Sequence, residues 1–170
     1  VGYLFLQSGT VQANPGLQKA VKLGMVREDI SLLEKFNLLK ELGYDGVELN
    51  SPNAFDTDEV VEARDKSGLP IHGVVDSVHW KQTLGDLDPA VREQGVEGLK
   101  TAIEDADAYG ASTVLLVPAV VNENIPYDKA YTRSQAEIRK VLPFARQHKI
   151  RIAIENVWNL FLLSPLEEAR

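Results

Sequence analysis

Glu155 closes the run Ile152-Ala153-Ile154-Glu155-Asn156. A carboxylate at the end of an aliphatic strand is either satisfied by a partner or placed there for chemistry. Asn156, Trp158 and Asn159 follow it. Other apolar runs end the same way. "DGVELN" carries Glu48 and Asn50, "PIHGVV" leads into Asp76, His79 and Trp80, and "STVLLVP" leads to Asn122. Carboxylates and imidazoles bind hard or borderline divalent ions, a positioned carboxylate can remove a proton from carbon, and an indole can lie against the C–H face of a sugar.

Each residue also has a structural explanation. Glu48 can pair with a lysine of a neighbouring strand, Asp76 can cap the turn that follows it, and Trp80 and Trp158 can pack beneath loops. His72, inside the third strand, is expected to be a hydrogen-bonded core residue. His79 lies past that strand, where a loop position suits a site. Glu155 is assigned to function, because "IAIE" predicts buried neighbours and "NVWN" supplies amides at the rim.

The elements that must position these groups alternate, short β-rich runs with longer amphipathic segments, which is the rhythm of βα units. The strand expectations are 19–26, 45–50, 70–75, 112–118 and 151–156. Ser31 and Glu34 have capping-box spacing ahead of Leu32, Phe36 and Leu39, and Gly43 lies past the end. Asp56 opens a second helix that stops before Gly68. Asp88-Pro89 opens a third that stops at Gly110, with Gly95 and Gly98 weakening its middle. A fourth spans about 128–147, where Pro143 predicts a kink or a restart. "ELGYDGVEL", "KSGLPIHGV" and "AYGASTVLLV" repeat one layout of helix end, glycine and strand; "RQHKIRIAIE" keeps it without the glycine. Crossovers of this length imply one parallel sheet covered by helices, with any ligand beyond the carboxyl ends of the strands.

Composition narrows the chemistry. The 170 residues are 44% apolar and 25% charged, as expected of a globular domain with its own core. A net charge of −7 argues against nucleic acid or an anionic membrane surface as partner, and no stretch approaches the length of a spanning helix. There is no cysteine, so any metal must be held by carboxylate, imidazole or water. Residues 1–18 are a signal-peptide remnant or an N-terminal arm: an apolar stretch precedes Val11-Gln12-Ala13, which suits the −3/−1 pattern of a cleavage site. The first alternative implies export or a periplasmic location, the second the cytoplasm.

"YDGVELN", the βα rhythm and above all "RIAIENVWN" resemble the xylose-isomerase-like TIM barrel superfamily of sugar and sugar-phosphate isomerases and epimerases, which includes the tagatose and psicose 3-epimerases. The resemblance covers 19–170 and implies an α/β fold, a (β/α)8 barrel truncated after strand five. It implies that Glu155, in the strand-five motif of aliphatic residues, glutamate, two variable residues and asparagine, binds a divalent metal (Mn, Mg, Co or Zn) and acts as an acid/base, with Asn159 in the asparagine place. Glu48 resembles family glutamates near the substrate, and His79 and Trp80 complete the expected substrate-binding set. The remaining metal ligands come in the family from strands six to eight. A closed barrel typically needs about 250 residues, so the chain is expected to be a fragment or one part of an assembly, and a homo-oligomer is one such assembly. The implied function is metal-dependent isomerisation or epimerisation of a free or phosphorylated sugar. Two alternatives stand beside it: a zinc phosphodiesterase like the DNA-repair endonucleases of the same superfamily, to which His72 and His79 would contribute, and a non-catalytic carbohydrate-binding fragment.

Overall fold

The structure, a computed structural model, describes residues 16–155 and 157. Its centre is one sheet of five parallel strands in chain order: β1 (Ala20–Lys22), β2 (Gly46–Ser51), β3 (Ile71–Asp76), β4 (Thr113–Leu116) and β5 (Arg151–Ile154). Helices α1 (Leu32–Glu41), α2 (Thr57–Ser67), α3 (Pro89–Tyr109) and α4 (Tyr127–His148) supply the crossovers after the first strand. β1 is shorter than the expected 19–26, because Leu23–Met25 turn into a 3₁₀ helix directly after Lys22.

The helix caps are those the residue types dictate. Ser31 and Glu34 form the full capping box, Asp56 accepts from the amides of Asp58 and Glu59, and Asp88 accepts from Ala90 ahead of Pro89. Gly68 and Gly110 take the left-handed conformation at the ends of α2 and α3. At the end of α4 Lys149 takes it instead, with φ 60°, which costs a side-chain-bearing residue roughly 1–2 kcal/mol. Of the kink or restart expected at Pro143, the restart does not occur: α4 runs through it. Pro143 and Arg139 both lie on the exposed side, where water can take the carbonyl that the missing N–H leaves free.

The two faces of the sheet differ. On the helix side Val47, Leu49, Ile71, Val74, Val114 and Leu116 are buried and meet Phe36, Leu39, Val60, Leu99 and Ile103 in one core. Each such side chain contributes roughly 1.5–3 kcal/mol on leaving water. The other face is built in layers by the register. Lys22, Glu48, Gly73, Thr113 and Arg151 align across the sheet, and Asn50, Val75, Leu115 and Ala153 form the next layer.

Two expectations fail here for physical reasons. His72 is not a core residue. β2 and β3 slip register between Val47 and Glu48, which pair with Ile71 and Gly73, so His72 is the extra residue of a bulge and is exposed. Glu155 does not have buried neighbours either: Ala153 and Ile154 are exposed, because among the described residues no strand pairs with the far edge of β5.

Candidate functional site

The polar residues at the carboxyl ends of the strands meet in a groove of about 450 Å³ on the open face of the sheet. Lys22, Glu48, Asn50, His79, Trp80 and Glu155 line it, with Ser77 and the aliphatic Val75 and Leu115. Of the expected site residues, the fold brings together Glu48, His79, Trp80 and Glu155. Asn159, and with it Asn156, Trp158 and the Val11-Gln12-Ala13 segment, lies outside the described residues. Lys22 was not singled out from the sequence; Asn50 was named at the end of the second strand without a role, and strand alternation puts it on the face of Glu48, two residues before it.

Glu48 lies over Gly73, where an added Cβ would sit 3.7 Å from Oε1 and 2.9 Å from the Thr113 hydroxyl. A side chain at residue 73 would press on the Thr113 hydroxyl and stand in ordinary contact with the Glu48 carboxylate. Lys22 is its register neighbour on β1, but no ion pair within 4 Å joins them among the described residues, so the sequence-based alternative of a structural Lys–Glu pair is not realised. Glu155 is exposed into the groove, and its backbone N–H donates to the Leu116 carbonyl at 2.9 Å. Val157 packs against the cluster of Val117, Ala119, Ile125 and Ala130.

His79 is delivered by a turn. Asp76 Oδ1 accepts from the Val78 amide at 3.3 Å, the Ser77 amide and hydroxyl both donate to the Ser51 carbonyl at 2.8 Å, and the Lys81 and Gln82 amides donate to the Val78 carbonyl. The chain thereby folds back over the end of β4, where the Val117 amide donates to His79 Nδ1 at 3.2 Å. The loop closes onto α3 at Gly95 and Gly98. A methyl at either would collide with the Gln82 carbonyl or with Val78. The two glycines that looked like flaws in a helix are therefore what admits the loop carrying His79.

His79 is 3% exposed, and burial, reinforced by the positive charge of Lys22, pulls its pKa from 6.5 down to about 4. It is neutral at pH 7. Trp80 meets it edge to face, ring centroids 5.0 Å apart at 84°, and is 45% exposed at the lip of the groove. Asp76 is no part of the groove. It faces α3 at 1% exposure, where burial raises its pKa to about 6 against the Val78 hydrogen bond. Its role is the turn cap that its residue type suggested.

Among the described residues no group of three or more histidine, aspartate or glutamate side chains is placed to hold a metal ion. Glu155 would offer one oxygen ligand. The Nδ1 lone pair of His79 is taken by Val117, and His72 is not in the groove. These residues do not make a metal centre by themselves. No helix among them is long and apolar enough to cross a membrane.

Residues 36–169 match the family described as the xylose isomerase-like TIM barrel. The chain is 26% identical over 157 residues to L-ribulose-5-phosphate 3-epimerase of Salmonella heidelberg, an alignment covering 82% of this chain and 54% of that protein. The structure superposes on D-allulose 3-epimerase from a Methylomonas species with a TM-score of 0.70 at 19% identity, covering 85% of this chain and 52% of that one. A D-tagatose 3-epimerase-like protein gives a TM-score of 0.71 at 19% identity, covering 85% and 54%. The chain thus spans about half the length of the relatives it matches, and its five parallel strands with the four helices that join them correspond to about half of their barrels. With well over half of its own length matched, this chain belongs to the xylose isomerase-like TIM barrel family.

Proposed function

We propose that these five units form the substrate-binding wall of a sugar or sugar-phosphate epimerase or isomerase, in which Glu155 removes a carbon-bound proton beside a carbonyl. The observation that carries this reading is the pair of carboxylates, Glu48 and Glu155, lining one groove at the carboxyl ends of parallel strands in a chain distantly related to sugar 3-epimerases. Glu155 takes the proton, and the C–H electron pair becomes the double bond of an enediolate. Return of a proton to the same carbon from the opposite face gives the epimer, and return to the neighbouring carbon gives the isomer. Glu48, His79 and Trp80 hold the sugar, the indole against its C–H face and the others at its oxygens.

The proposal concerns the whole protein that carries these units, with the opposite wall of the barrel supplied from outside the described residues. A divalent metal in that protein would take Glu155 as one ligand and draw the rest from that wall. The acidic balance, and the single histidine in this groove, favour this reading over a zinc phosphodiesterase.

The test is incubation of that protein in D₂O with D-allulose, D-fructose and L-ribulose 5-phosphate, following deuterium at the carbon beside the carbonyl. Incorporation with at least one of them is expected. Binding without incorporation would contradict catalysis and favour a carbohydrate-binding role.

A further inference from the structure

A buried histidine on the wall of a sugar site can serve as a base, a metal ligand or a hydrogen-bond donor, and the state of its two ring nitrogens decides among these. At His79 that state is set by the fold. Nδ1 faces the backbone N–H of Val117 at 3.2 Å, and a backbone amide can only donate, so Nδ1 must carry the lone pair. A neutral imidazole with its lone pair on Nδ1 carries its proton on Nε2. That nitrogen has no hydrogen-bond partner among the described residues, although the side chain is 97% buried by its 3% exposure and lines the groove. Nε2 is not sealed off: among the described residues the buried side-chain polar atom left without a partner is Asn50 Oδ1, so Nε2 opens onto the groove, where an oxygen from outside the protein, of water or of a ligand, accepts its hydrogen bond.

We propose that His79 is a tautomer-locked donor whose Nε2–H touches an oxygen of the bound sugar, making it a specificity-determining residue and neither a base nor a metal ligand. The proposal rests on the sugar-site reading above and adds the role of this side chain. A metal needs a ring lone pair, and the only one is engaged on the protein side by Val117. A general base needs the same lone pair on the substrate side. What the ring offers the groove is one N–H, which favours a carbonyl, hydroxyl or phosphate oxygen and rejects an analogue that presents only C–H there. Trp80, packed edge to face on the ring, fixes the direction of that N–H.

The test uses two variants that split the ring's two functions. His79→Asn keeps an acceptor where Nδ1 was and removes the donor. His79→Gln places an amide donor near the Nε2 position and loses the acceptor. In the ¹⁵N-labelled chain, long-range proton–nitrogen correlations of the histidine rings, assigned by the signal lost in His79→Asn, are expected to show the Nε2–H tautomer from pH 6 to pH 8, unchanged by Zn²⁺. Titration of the whole protein with D-allulose is expected to shift His79 Nε2. The dissociation constant should rise about tenfold in His79→Asn, and by much less in His79→Gln, whose melting temperature falls instead. An Nδ1–H tautomer, or a ring signal moved by stoichiometric Zn²⁺, would overturn the role of His79 and leave the sugar-site reading standing. So would D-allulose binding as tightly to His79→Asn as to wild type. Failure of the wild-type whole protein to bind D-allulose, D-fructose and L-ribulose 5-phosphate alike would overturn both.

Discussion

Asp76 and Glu155 are both acids at the end of a parallel strand, yet one faces the helices and the other the open face. Asp76 is 1% exposed and strongly perturbed; Glu155 is exposed and lines the groove. A displaced pKa is often taken as a sign of function. Here the perturbed acid lies behind the sheet, where no ligand reaches, and its raised pKa records burial without a cation. The acid in a position to meet substrate is the one water can reach. Position on the sheet, more than titration, separates the two roles.

The largest effect expected from breaking this contrast is on turnover. Glu155→Gln in the whole protein should lower proton exchange by about 10²–10⁴-fold while leaving the fold intact, since glutamine keeps the size and shape of the side chain. Chemical denaturation alongside the exchange assay checks both halves.

On the other face, Asp76→Asn keeps an acceptor for Val78 and removes the titration. A carboxyl whose pKa rises from 3.8 unfolded to about 6 folded binds its proton more tightly in the folded state. Its contribution is complete below the unfolded value and is lost as pH rises through about 6. The variant should therefore match wild type near pH 4 and exceed it above pH 7 by up to about 3 kcal/mol, read from denaturation midpoints across that range.

Gly95→Ala gains about 1 kcal/mol of helix propensity, but its methyl meets the Gln82 carbonyl, and displacing the loop should cost about 1–3 kcal/mol. A net loss of stability, with weaker sugar binding through His79, is expected; a net gain would show that the loop yields freely. Smallest is Lys149→Gly, which should stabilise by about 1 kcal/mol by relieving the left-handed backbone at the end of α4. Thermal denaturation checks it.

Much of the frame was legible in the residues. Capping side chains at Ser31, Asp56 and Asp88 act within three residues of themselves, so their local chemistry was sufficient to place three helix starts. The layout of helix end and strand likewise placed β2 to β5, three of them with the glycine, with their ends off by one or two residues. What was hidden depends on distant partners. His72 reads as core until the register slip against β2 turns it out, and Gly95 reads as a flaw until the Gln82 carbonyl packs on it. Pro143 reads as a kink or a restart, and its exposure on α4 is what lets the helix continue without the restart. Of the residues that line the groove, Glu48, His79, Trp80 and Glu155 were singled out because polar residues at strand ends stand out against apolar runs. Lys22 was missed because a lysine in a short first strand looks like an ordinary surface residue.

The central claim is that chemistry belongs to the open face. Its most direct test is deuterium incorporation beside the sugar carbonyl, measured side by side for Glu155→Gln and Asp76→Asn in the whole protein. Loss of about 10²-fold or more in the first, with the second within about twofold of wild type, is the predicted result. Full incorporation by Glu155→Gln, or its loss in a folded Asp76→Asn, would contradict it.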